Sequence, residues 1–136
     1  DLYVANDFGR NNLYKNEKGK FRDIAEEAGV VDLGPGMSAA WFDFDGDGLA
    51  DLYVSNMWTS AGIRVIHEPA FRPVGRDGLL EAYRRHSKGS SLFRNRSDGT
   101  FEEVGAREHV EMARWSWSAD GIDFDNDGVP EIYRNR

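Results

Sequence analysis

The stretch Asp43-Phe44-Asp45-Gly46-Asp47-Gly48-Leu49-Ala50-Asp51 constrains this chain more than any other. It sets carboxylates at positions 1, 3, 5 and 9 of a tight loop, with Gly48 at position 6. Carboxylates this close repel one another, and a hard divalent cation with oxygen ligands removes the repulsion. Gly48 lets the chain fold back over such an ion. The Leu49 carbonyl, at position 7, is the expected backbone ligand. A second copy reads Asp123-Phe124-Asp125-Asn126-Asp127-Gly128-Val129-Pro130-Glu131. There Asp123, Asp125, Asp127 and Glu131 are the candidate side-chain ligands, and Val129 lends the carbonyl. Calcium is the ion expected at both sites.

An EF-hand begins with the same residues, but it needs an acidic ligand at position 12 and a helix on each side. Position 12 is Val54 in the first loop and Arg134 in the second. The following segments, Leu52-Tyr53-Val54 and Ile132-Tyr133, favour strands. The loops therefore read as corners between strands.

Residues 21–54 align with residues 101–134 at a constant offset of 80. Just upstream, Leu13-Tyr14-Lys15-Asn16 matches Leu92-Phe93-Arg94-Asn95 at an offset of 79. One unit predicts four strands, near Met37–Phe42, Asp51–Asn56, Ser91–Asn95 and Thr100–Val104. Glu17-Lys18-Gly19 and Ser97-Asp98-Gly99 are the hairpin turns. Repeated antiparallel four-stranded units predict an all-β fold, a piece of a β-propeller. Residues 1–24 read as the back of a first blade and 25–104 as a complete blade. Residues 105–136 read as a connector and the front of a third. Asp1-Leu2-Tyr3-Val4 resembles Asp51-Leu52-Tyr53-Val54. Asp1 is thus expected at position 9 of a partial third site, and the remaining blades of a longer protein are the expected neighbours.

An insertion, residues 57–90, separates the second and third strands of the complete blade. It predicts a helix over Asp77–Ser87, with Asp77 as N-cap, Leu79, Leu80 and Tyr83 on one face, and Gly89 closing it. Pro69 and Pro73 predict an extended lead-in around Phe71. Asp23-Ile24-Ala25-Glu26 has capping-box spacing, with Gly29 as terminator. The insertion is net basic, through Arg64, Arg72, Arg76, Arg84, Arg85 and Lys88, whereas the rest is acidic. Blade topology places it at the opposite end of the sheet from the metal loops. Arg84, Arg85, His86 and Trp115 are the candidate ligand-facing residues, the arginines for an anionic sugar or carboxylate. The competing expectation is that these arginines pair with the protein's own acidic body.

Formal net charge is -7, and two divalent ions would offset four of those charges. An acidic balance argues against nucleic-acid binding. The chain has no cysteine, which excludes disulfides, thiolate catalysis and cysteine zinc sites. It has no apolar run of bilayer-spanning length. His67, His86 and His109 lack metal-ligand spacing. Ser116 and Ser118 lie in no nucleophile elbow, and their neighbours Trp115 and Trp117 are expected in blade-to-blade packing. Gly34-Pro35-Gly36 lacks the lysine of a phosphate loop.

Several strings together resemble bacterial FG-GAP/VCBS-repeat proteins, integrin-like β-propellers, of the CRTAC1 and ASPIC/UnbV type. They are Asp1-Leu2-Tyr3-Val4-Ala5-Asn6-Asp7, Leu13-Tyr14-Lys15-Asn16, Trp41-Phe42 with the first loop, and Trp115-Ser116-Trp117-Ser118-Ala119-Asp120 before the second. The resemblance implies calcium in the blade loops and an extracellular, periplasmic or cell-surface protein used for binding or adhesion. Glu131 departs from the aspartate that such loops carry at position 9, so the second site is expected to be the weaker. The expected partner is a protein or carbohydrate, with no catalysis in this chain. The alternative is the propeller of an exported enzyme acting on an anionic or carbohydrate substrate, in which Arg64, His67, Arg84, Arg85 and His86 converge with Trp115.

Overall fold

The computed structural model describes residues 1–58, 60–71 and 78–135. Three antiparallel sheets follow one another along the chain. Strands β1 (Leu2–Val4), β2 (Asn12–Glu17) and β3 (Lys20–Asp23) form the first, in that order. Glu17 faces Lys20 across a two-residue turn, with Lys18 at φ 56° and Gly19 at φ 87°. Two positive φ values give the twist that lets two strands pair directly.

A helical turn follows, α1 (Ala25–Ala28), which Gly29 ends in the left-handed conformation. The expected capping box does not form. The residue before the turn is Ile24, with no side-chain cap. Asp23 accepts the Ala25 N–H at 3.1 Å, and Glu26 is drawn away to Arg10, 2.6 Å distant.

The second sheet contains β4 (Gly36–Phe42), β5 (Asp51–Asn56), β6 (Ser91–Asn95) and β7 (Phe101–Glu103), again in sequence order. Two helices lie between β5 and β6, α2 (Ser60–His67) and α3 (Leu79–Ser87). The sequence predicts only the second. Its expected N-cap, Asp77, lies outside the described residues, as do Arg72, Pro73 and Arg76. The third sheet is β8 (Ser118–Ile122) with β9 (Glu131–Asn135). This mostly-β succession of antiparallel sheets is that of propeller blades, as the sequence predicts.

The core explains why β5 is buried along its whole length. Alternate residues of a strand point to opposite faces. Leu52 and Val54 pack towards the first sheet, with Tyr3, Leu13, Val30 and Phe93. Tyr53 packs the other way, with Leu92 and Val104, against Ala119 and Ile132 of the third sheet. β5 is thus covered on both faces. It runs from the first acidic loop at Asp51 to the insertion beyond Asn56, so those two features lie at opposite ends of the sheet. No described helix is long and apolar enough to cross a membrane.

Candidate metal centre

The first loop joins β4 to β5, and its own carboxylates organise it. Asp43 accepts the N–H groups of Gly46, Asp47 and Gly48 at 2.8–3.0 Å. Asp47 accepts that of Leu49 at 2.9 Å. Gly46 and Gly48 both have positive φ, which turns successive N–H groups inward. Asp51, at the start of β5, is wholly buried. Its two oxygens accept the N–H of Phe44, across the loop, and that of Asn95 on β6. The loop is therefore pinned to the neighbouring strand as well as to itself.

The second loop, between β8 and β9, repeats this pattern. Asp123 accepts the N–H groups of Asp127 and Gly128, and Asp127 accepts that of Val129. Asn126 takes the left-handed conformation held by Gly46 in the first loop. Glu131 reaches the Phe124 N–H at 2.9 Å, matching the 3.0 Å bond from Asp51 to Phe44. The longer side chain therefore closes the loop as the aspartate does. Val54 and Arg134, at position 12, sit within strands.

In each loop three carboxylates bring ligand atoms within 4.8 Å of one another. They are Asp43, Asp45 and Asp51 in the first, and Asp123, Asp125 and Asp127 in the second. Either trio can hold a metal ion. Asp47 and Glu131, also expected as ligands, stand outside these trios. Asp47 leans towards Arg94 at 3.5 Å, and Glu131 is spent on Phe124. Leu49 and Val129 sit at the expected backbone position, each giving its N–H to the position-5 aspartate.

The donor set fits a hard cation. It consists of oxygens on carboxylates already held by backbone N–H groups. Burial, together with the charges of Asp45 and Asp47, holds the Asp51 carboxyl above its ordinary value, against the pull of its two backbone bonds. A buried carboxylate beside two others is unfavourable unless a cation joins them. Asp1 repeats one part of the arrangement. It accepts the Asn16 N–H at 2.8 Å, as Asp51 accepts that of Asn95 at 2.7 Å.

The sequence misses Arg94 and Asn95. Asn95 gives its backbone N–H to Asp51 and its side-chain amide to the Ala50 carbonyl. The recurring Lys15-Asn16 and Arg94-Asn95 pairs were the available signal.

The candidate ligand-facing residues are engaged with their own chain or divided between two neighbouring cavities. Arg85 donates to the Val31 carbonyl and His86 Nδ1 to the Leu33 carbonyl, both at 2.8 Å. Arg84 pairs with Glu81 one turn back on α3. These contacts fasten the insertion to its own chain, at the connection leading into β4. His86 lines a cavity of about 430 Å³ with Met57, Ile66 and Tyr83. Trp115 lines an adjoining one of about 520 Å³ with Trp58, Met112 and Arg114, and Ala61 borders both. Arg64 and His67 are exposed on α2, with His67 hydrogen-bonded to the Ile63 carbonyl. Trp115 and Trp117, expected between blades, are both about half exposed and pack edge to face on each other. The wholly buried residue is Ser116 between them, the opposite face of an extended segment.

A search of curated proteins returned no match. A family model described as FG-GAP-like repeat matches residues 1–54 and 75–133, and each matched segment carries one acidic loop. With most of its length so matched, and with equivalent loops at equivalent strand corners, the chain belongs to the FG-GAP-like repeat family.

Proposed function

We propose that the chain is a calcium-binding segment of an extracellular, periplasmic or cell-surface β-propeller that serves binding or adhesion. On this reading the metals are structural, the chain catalyses no reaction, and its ligand is a protein or carbohydrate. The observation that carries the calcium reading is the pair of carboxylate trios at equivalent strand corners. Asp43, Asp45 and Asp51 hold one ion and Asp123, Asp125 and Asp127 the other. Glu131 and Asp47 are close enough in sequence to join after a side-chain rotation. Family membership supports location outside the cytoplasm, where calcium is abundant. The motif strings around both loops support the narrower CRTAC1 and ASPIC/UnbV type.

Calcium titration by calorimetry, with melting in EDTA and in excess calcium, tests this reading. Two ions are expected per chain. At a hundredfold excess over Kd each adds about 2.7 kcal/mol, which raises Tm by about 11–22 °C in total. Superimposable melting curves in EDTA and calcium would remove the calcium reading.

A further inference from the structure

The first loop already has a cation beside it. Arg94 projects from β6, the strand paired with β5. Its Nε lies 2.6 Å from Asp45 Oδ2 and its Nη2 3.5 Å from Asp47 Oδ2. The Nε atom is buried and makes no aligned hydrogen bond, so the contact is one of charge. Topology fixes the placement, because the next residue, Asn95, is fastened to Asp51.

Asp47 stands outside the trio of its own loop and leans to Arg94, while Asp45 is shared between the trio and Arg94. The first sheet shows a related placement, since Lys15, the counterpart of Arg94, shares a cleft with Asp1.

We propose that Arg94 is a resident counter-cation that a divalent ion must compete with, and that it sets the affinity of the first loop. This rests on the calcium reading above. In the metal-free protein the guanidinium offsets the repulsion between Asp45 and Asp47, so the ion has less repulsion left to relieve. When the ion binds, Asp47 must leave Arg94 to join the trio, and a positive charge stays beside a doubly positive one. Arg94 is a positioning residue: it acts on the ion through the carboxylates it holds.

The test uses calcium chloride as the probe at fixed ionic strength, with D125N in every protein to silence the second loop. R94Q is expected to bind calcium about 3–30-fold more tightly than its parent, the range of a partly exposed charge pair. It should also melt lower in EDTA. R94M, which lacks a polar head, should tighten binding likewise. R94K keeps the charge and should stay within about threefold of the parent. Equal or weaker binding in R94Q and R94M overturns the proposal, because Arg94 would then be orienting the ligands. Calcium binding in R94Q but not in the parent is its strongest form. No binding in any of these proteins, or in the protein without D125N, sinks the calcium reading and the proposal together. Binding that is unchanged across the series sinks the proposal alone.

Discussion

Asp51 and Asp45 share a trio but do different work when no ion is bound. Asp51 is buried and answers two backbone N–H groups, those of Phe44 and Asn95. Asp45 is exposed and meets Arg94. Truncating Asp51 leaves two donors unpaired beneath the loop, whereas truncating Asp45 leaves a partly exposed guanidinium that still has Asp47 beside it. D51A is therefore expected to cost about 2–4 kcal/mol in EDTA, the penalty for two unpaired buried donors. D45A should cost less than about 1 kcal/mol, the worth of an exposed pair. Both should abolish tight calcium binding at the first loop. Denaturant titration in EDTA beside calorimetry separates the two effects, and equal losses of stability would contradict these roles. The carboxylate trios were legible because each is contained within nine residues, where spacing alone dictates proximity. Arg94 was not, because only the pairing of β5 with β6 carries it to the loop.

At the scale of elements, the repeat revealed what local pattern would have left ambiguous. β5 reads Asp-Leu-Tyr-Val-Ser-Asn, with little alternation of polarity, and burial on both faces explains why. Its bounds, and those of β6, were legible because each has a second copy elsewhere in the chain. The insertion has no second copy. α2 carries Gly62 and has no acidic residue in its first turn, so intrinsic propensity does not announce it. Contact with α3 and the ring pair of Phe71 and Tyr83, 5.6 Å apart, supply what propensity lacks. The insertion closes through Gly89, at φ 102°, where a β-carbon would collide with the Glu111 carbonyl oxygen. Gly78, before α3, also has positive φ, but a β-carbon there meets nothing within 4 Å. The pair separates conformational strain from close approach. G78A should cost about 1 kcal/mol and G89A about 2–4 kcal/mol, because the latter must also move backbone. Urea midpoints measure both, and a G89A loss no larger than that of G78A would mean that the junction has room to relax.

Across the whole molecule the described residues of neighbouring sheets pack through two separate apolar clusters on the two faces of β5. Such a stack is stabilised by nearest-neighbour interfaces and can come apart one unit at a time. Between the second and third sheets the contact is close. Ser38 Oγ accepts the Ala119 N–H at 3.0 Å, and a β-carbon on Gly121 would strike the Phe42 ring. In the repeat alignment Gly121 stands opposite Trp41. Trp41 packs edge to face on Tyr3 and Phe101, whereas its counterpart has given up its side chain to admit Phe42. The departure from the repeat thus marks the seam between units. G121V should push β8 off β4 while leaving Leu52 and Val54 packed on the first sheet. Hydrogen exchange is expected to lose protection across residues 118–135 well before residues 51–56. Calcium affinity should fall at the second loop, whose flanking strands lose their support, and hold at the first. A uniform loss of protection along the chain would show instead that the three sheets melt as one cooperative body, with the seam carrying no independent weight.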